Sequence, residues 1–258
     1  MQLYSPVTRR QSLKPLAASV VSSSALALPK EALPPIRLIA LDVGGTIVED
    51  RGDVPALLGS ALKHRGIEST PAEIAKWRGA SKREIIRHFV EKQRPSAGAD
   101  PGSDVEKIYA EFTESLIAAY RTVPPVRGAE AAIAQLRSRG YLVATTTGFD
   151  RAVTSSIFRR LGWESLFAAV ICSDDVVQGR PAPYMLFHAM EAARVENVGQ
   201  VVAVGDTPLD LQAGTNAGSR GVVGVMTGAG TADQLSAEPH THIVTSVADI
   251  PALLVSKF

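Results

Sequence analysis

Asp42 ends an apolar run, Ile36–Leu41, and is followed closely by Gly44-Gly45-Thr46. Three further segments lie beyond apolar runs: Thr145-Thr146-Thr147-Gly148, Gly179-Arg180-Pro181, and Gly205-Asp206-Thr207-Pro208-Leu209-Asp210. Together they offer a carboxylate, hydroxyls, a guanidinium and a second pair of carboxylates. An aspartate can take up a phosphoryl group as a nucleophile. An arginine fork can hold phosphoryl oxygens. One or two carboxylates, completed by water and substrate oxygens, suit Mg2+. The chemistry these residue types would perform is transfer of a phosphoryl group onto an aspartate with magnesium present.

Each residue also has a plainer reading. An aspartate after a strand and before two glycines is often a turn, although Gly44 and Gly45 also let backbone amides approach and cradle phosphate oxygens. Thr207 reads as an N-cap, Pro208 as the first helical residue and Asp210 as the acid of a capping box. That explains Thr207 and Asp210 but leaves Asp206 without a structural task. Arg180 alone could be a solvated loop arginine. Threonines at a strand end reflect propensity, and one hydroxyl of Thr145, Thr146 or Thr147 could bind phosphate.

Such residues need elements to position them. Short apolar runs without helical period occur at 36–41, 141–144, 168–171, 201–204 and 221–225, and read as buried strands. Helical patterns separate them at 129–139, 151–161, 184–194 and 209–217. Residues 243–244 suggest a last short strand and 247–255 a closing helix. This alternation predicts βαβ units and an α/β fold with a parallel sheet covered on both faces. Ligands of such sheets sit at the carboxyl ends of the strands, where the four segments fall.

One gap breaks the rhythm. Between Asp42 and residue 129 no buried strand is evident, and the pattern is helical at 54–65, 71–77, 82–92 and 104–120, with Ser81 as N-cap of the third. An unstructured loop of that length would be implausible. A helical insert over the active edge, able to close on substrate and exclude water, is the reading.

The 258 residues allow one core domain with a smaller insert. A net charge of +1 gives no electrostatic case for nucleic acid. The single cysteine, Cys172, cannot form an internal disulfide and reads as a buried strand residue. The first 35 residues differ in character. No acid precedes Glu31, and Thr8-Arg-Arg-Gln-Ser-Leu-Lys14 leads into a mild apolar stretch ending in Ala25-Leu-Ala27. The pattern suggests a twin-arginine-like export leader, placing the protein in the periplasm rather than the cytoplasm. An organellar transit peptide or a disordered extension are the alternatives. The apolar stretch is too short for a membrane span.

The order and spacing of the four segments resemble the haloacid dehalogenase superfamily of phosphoryl-transfer hydrolases over about residues 36 to 255. The resemblance implies a Rossmann-like doubly wound parallel sheet, with a helical cap inserted after the first strand. The core would span 36–50 and 125–258, and the cap 51–124. It implies Asp42 as nucleophile and Mg2+ held by Asp42, the Gly44 carbonyl and Asp206, with Asp210 as a further or water-mediated ligand. Thr146 or Thr147 would bind the phosphoryl group of a small phosphorylated or phosphonate substrate, beside Gly44, Gly45, Thr46 and Gly148. Arg180 takes the place usually held by lysine. Cap helices of related proteins often supply dimer contacts, so a homodimer is a further expectation.

Phosphatases of the superfamily usually carry a second aspartate two residues after the nucleophile, which protonates the departing alcohol. Here that residue is Gly44. The phosphonoacetaldehyde hydrolases (phosphonatases) show the same loss. They cleave a P–C bond after a cap lysine forms a Schiff base with the substrate aldehyde. This chain is similar to them at Thr146–Phe149, at Gly179-Arg-Pro-Ala-Pro-Tyr-Met185 and at Gly79-Ala-Ser-Lys82, which nominates Lys82, with Arg78 and Arg83 as neighbouring cations. It departs at Ile85, where they carry histidine, and at Arg78, where they carry methionine. A phosphomonoesterase using a cap acid such as Glu84 or His88 is the alternative. A non-catalytic binding protein of the same fold would have no reason to retain Asp42, Arg180, Asp206 and Asp210.

Overall fold

Leu38–Leu41 forms strand β1, buried at every position, as a continuous apolar run between two covered faces requires. The structure is a computed structural model, and it describes residues 35–94 and 101–258. The leader expected over residues 1–35 therefore lies outside the described residues, Pro35 excepted. The further strands are β2 (Leu142–Thr146), β3 (Ala169–Ile171), β4 (Val201–Gly205), β5 (Gly221–Val225) and β6 (His242–Val244). All pair in parallel in the order β3-β2-β1-β4-β5-β6. This is the doubly wound arrangement, in which the chain reverses its direction of winding beside β1.

Register makes the site. Leu41 is level with Thr145 of β2 and Val204 of β4. One residue further on, Asp42 leaves the sheet between the ends of its two neighbours.

Five helices lie between β1 and β2, and the first four make up the insert: α1 (Asp53–His64), α2 (Pro71–Ala75), α3 (Lys82–Gln93) and α4 (Pro101–Ala119). On α3, Ile85, Ile86, Phe89 and Val90 form one buried stripe. It packs on α4, whose Val105, Ile108 and Phe112 are buried with it. Ile85, the position where histidine was the point of comparison, is thus part of the cap's apolar core. The remaining helices are α5 (Ala129–Ser138), α6 (Arg151–Leu161), α7 (Tyr184–Ala192), α8 (Pro208–Ala217), α9 (Ala232–Ser236) and α10 (Ile250–Lys257). None of the described helices is long and apolar enough to cross a membrane.

Several local expectations shift. The second helix ends at Ala75 rather than residue 77, and the chain turns through Gly79 at φ 89°. Ser81 stands at the N-cap of α3 without a side-chain cap bond. The closing helix divides into a 3-10 turn at 247–249 and α10, with Pro251, which has no N–H to give, in its first turn. The short α9 was not anticipated: it is held by a Thr231–Gln234 capping box and buries Leu235 alone, so no periodicity announces it. Cys172 is buried one residue beyond β3, where burial pushes its thiol up to about 12.

Candidate active site

The Asp42 backbone N–H donates to Val204 O at 2.8 Å, carrying the sheet ladder one residue past β1. Its side chain is buried, and Oδ1 accepts from Arg180 Nη2 at 2.7 Å. Arg180 is equally buried. The same Nη2 donates to Thr146 O at 2.6 Å and to Thr146 Oγ1 at 3.2 Å, while Nη1 meets Asp210 Oδ1 at 2.6 Å. One guanidinium thus ties β1, β2 and the start of α8 together. Burial would discharge it, but the carboxylates around it keep its pKa above that of a free arginine.

Asp210 is the acid of the capping box read from the sequence. Its Oδ2 accepts from Thr207 N at 2.9 Å and from Thr207 Oγ1 at 2.5 Å. Asp206 is held differently: Oδ1 accepts from Thr46 Oγ1 at 3.3 Å and Oδ2 from Ala229 N at 2.7 Å. Two glycines make room for it. A Cβ on Gly45 would lie 2.5 Å from Asp206 Oδ2, and one on Gly228 would lie 2.0 Å from it. Gly228 and Ala229 were not anticipated. Their only trace in the sequence is the glycine-rich turn Thr227-Gly228-Ala229-Gly230 after β5.

Asp42, Asp206 and Asp210 each place a carboxylate oxygen within 4.8 Å of the others. Burial raises Asp42 to about 6, Arg180 opposing and Asp210 adding to the rise. Asp206 is raised as well, by burial first and then by Asp42 and Asp210. Buried carboxylates in mutual repulsion are a donor set for a hard divalent cation, which would relieve the repulsion. The residues fit such an ion. Both oxygens of Asp210 are already engaged, so it would enter through water or by releasing Arg180.

The cap completes the site. A cavity of about 60 Å³ is lined by Asp42, Gly44, Asp206, Thr147, Gly148 and Arg180 from the core. Lys82 and Arg78 line it from the cap, with Tyr120, Phe149 and Asp50 beside them. Lys82 is 6% exposed, donates to Ala80 O at 2.8 Å, and lies 5.7 Å from the centre of the Phe149 ring. Burial pulls its pKa from 10.5 to about 8, with Asp42 opposing and Arg180 assisting the fall.

The approach of cap to core is close. A Cβ on Gly148 would stand 2.9 Å from the carbonyl oxygens of Gly79 and Ala80, and one on Gly79 would stand 2.6 Å from Thr207 Oγ1. Glu84, one turn along α3, accepts from Gly179 N at 3.1 Å, next to Arg180. Tyr109 of α4 donates its hydroxyl to Asp150, which caps α6 through Val153 N at 2.8 Å.

The residues expected at the site separate into groups. Asp42, Gly44, Lys82, Thr147, Gly148, Arg180 and Asp206 share the cavity. Gly45, Thr46, Thr146 and Asp210 lie behind it: Thr46 supports Asp206 and Thr146 supports Arg180. Thr145 Oγ1 is buried without a partner among the described residues. Glu84 is engaged at Gly179, His88 stacks 4.7 Å from Trp77, and neither lines the cavity. Arg83 pairs with Glu106 at 3.0 Å and lies over Tyr109.

An open parallel sheet with buried carboxylates and an arginine at its carboxyl edge, covered by an inserted helical cap, defines a class of hydrolase. A profile of the haloacid dehalogenase-like hydrolases matches residues 36–218, and the chain belongs to that family. Its curated relatives include a phosphonoacetaldehyde hydrolase of Bacillus cereus, 32% identical over 208 residues, covering 75% of this chain and 76% of the relative. Among solved structures, a phosphonoacetaldehyde hydrolase-like protein from Oleispira antarctica superposes with a TM-score of 0.74 at 22% identity, covering 86% of this chain and 92% of the other. A hydrolase from Pseudomonas syringae reaches 0.75 at 15% identity, covering 86% and 99%. At these identities the two structures show the fold alone.

Proposed function

We propose that the protein is a magnesium-dependent, phosphonatase-like hydrolase that cleaves the C–P bond of a small phosphonate with a neighbouring carbonyl group, phosphonoacetaldehyde or an analogue. One observation carries this reading: Lys82 is buried in the same cavity as Asp42, with a pKa lowered to about 8. A lysine so placed is partly neutral near pH 7 to 8 and can add to a carbonyl. The names of the curated relatives support the same chemistry.

Asp42, Asp206 and the Gly44 carbonyl would hold the Mg2+, which when bound neutralises charge on the phosphoryl oxygens. The Lys82 amine adds to the carbonyl carbon, and water is lost to give an iminium ion. An Asp42 oxygen attacks phosphorus and the C–P bond breaks. Its electron pair passes into the iminium to give an enamine, so no acid is needed at residue 44. Arg180 orients Asp42, and Thr147 and Gly148 receive phosphoryl oxygens. Water then releases phosphate from Asp42, and protonation and hydrolysis of the enamine return Lys82 and the carbonyl product.

Phosphate release with Mg2+ tests this, comparing phosphonoacetaldehyde with phosphomonoesters in the wild type, Asp42→Asn and Lys82→Ala. Turnover of phosphonoacetaldehyde requiring both residues, with borohydride trapping substrate carbon on Lys82, is expected. Turnover of esters that needs Asp42 and ignores Lys82 would overturn it.

A further inference from the structure

The cavity holds three cationic side chains, and two are committed. Arg180 is bound to Asp42, Thr146 and Asp210. Lys82 donates to Ala80 O. Arg78 is different. Its Nε is buried with no hydrogen-bond partner among the described residues, and Nη1 approaches Asp50 Oδ2 at 3.8 Å, too far for a hydrogen bond. About a third of the side chain, Nε excepted, stays accessible, so a molecule entering the cavity can reach the guanidinium from its outer side.

A guanidinium presents its two Nη groups as a planar fork that matches a carboxylate, and here Nε adds a donor left unmade behind them. Leaving such donors unmade at a buried position is unfavourable unless a ligand supplies the acceptor. The backbone that carries Arg78 is held in place. Arg78 precedes Gly79, which has φ 89° and packs against Thr207, so the segment bearing Arg78 is pressed onto the core. Four residues along the chain is Lys82, at the same cavity. A ligand with its phosphono group at Asp42 and its carbonyl at Lys82 would bring the substituent on the carbonyl carbon toward Arg78.

We propose, building on the function above, that Arg78 makes this site select a substrate whose carbonyl carbon bears a carboxylate: a 2-oxo acid carrying its phosphono group on C3. The reaction keeps its balance. Lys82 adds to the C2 ketone with loss of water, and Asp42 takes the phosphoryl group. The C3–P electron pair enters the iminium. Protonation at C3 and hydrolysis release a 2-oxo acid, while water frees phosphate from Asp42. Asp50 competes with the carboxylate for the same guanidinium.

The test compares kcat/KM for 3-phosphono-2-oxopropanoate and phosphonoacetaldehyde, with borohydride trapping on Lys82 for each. The wild type is expected to favour the carboxylated compound at least tenfold. Arg78→Met should lower that ratio at least tenfold, Arg78→Lys should restore part of it, and Asp50→Asn should raise it. A merely structural Arg78 would not move the ratio in opposite directions in the Arg78→Met and Asp50→Asn proteins. Trapping and turnover of phosphonoacetaldehyde, with a ratio near one that Arg78→Met leaves alone, would overturn this inference and leave the phosphonatase reading standing. Trapping of neither compound would overturn both.

Discussion

Phe149 fills the space beside Gly44: a Cβ at residue 44 would begin 3.1 Å from the ring's Cζ and 3.8 Å from the Tyr120 hydroxyl. The position where related phosphatases keep their acid is occupied by an aromatic wall, itself packed edge-on against Tyr120 at 5.4 Å. Gly44→Asp alone is therefore expected to overpack the site, lowering stability by about 1–3 kcal/mol, and to gain no phosphomonoester turnover. Gly44→Asp combined with Phe149→Ala should gain ester turnover. Thermal melts and phosphate release from an alkyl phosphate check both; ester turnover by the single variant would contradict the packing argument.

Lys82 should lower the stability of the fold it serves. Its proton is held to about pH 8 in the folded protein, against 10.5 for the free side chain. Between those values the unfolded chain binds the proton and the folded chain does not, so its contribution to stability rises with pH across that window. Below about pH 8 the full penalty applies, on the order of 3 kcal/mol. Lys82→Met should thus be more stable than wild type at pH 7, and the gap should close toward pH 10.5. Denaturant unfolding of the two proteins from pH 7 to 10 measures it; a gap independent of pH would refute it.

Mg2+ should stabilise the protein in a pH-dependent way. Protons and the cation compete for the raised carboxylates of Asp42 and Asp206. The rise in Tm on adding Mg2+ is expected to be large at pH 7.5, to shrink as pH falls through about 6, and to be lost in Asp206→Asn. An equal shift at pH 5 and pH 7.5 would argue that the ion binds elsewhere.

Glu84 joins the helix bearing Lys82 to the loop bearing Arg180 through Gly179 N. Glu84→Ala should lower kcat by on the order of tenfold, since small displacements of catalytic groups are costly. Glu84→Gln keeps an oxygen acceptor and should retain most activity. Equal loss in both variants would point to the charge of Glu84 rather than its hydrogen bond.

The sheet was legible because β1 to β5 are continuous apolar runs, and β1, β2 and β4 end at or next to residue types with chemical use. The Asp206–Asp210 turn was legible for the same reason: capping explained Thr207 and Asp210 and left Asp206 over. What lay hidden depends on approach between distant segments. Gly228 and Ala229 matter because the turn after β5 folds against Asp206, and no local pattern encodes that. Phe149 could be seen as an aromatic after Thr-Thr-Gly, but not as the wall of Gly44. Thr46 and Thr146 looked like ligand-facing hydroxyls, and only three dimensions turned them toward Asp206 and Arg180.

The close seating of cap on core at Gly148 has a consequence for when the amine is reactive. Exposed to water, Lys82 would be neutral about once in a thousand molecules at pH 7.5; beneath the seated cap, with a pKa of about 8, it is neutral in roughly a quarter. On the proposed reading, burial beneath the cap would thus raise the neutral amine roughly two-hundredfold over a solvated lysine. If the proposed imine chemistry holds, an aldehyde reaching a solvated Lys82 would find an ammonium ion, and burial would serve as a safety catch against indiscriminate imine formation.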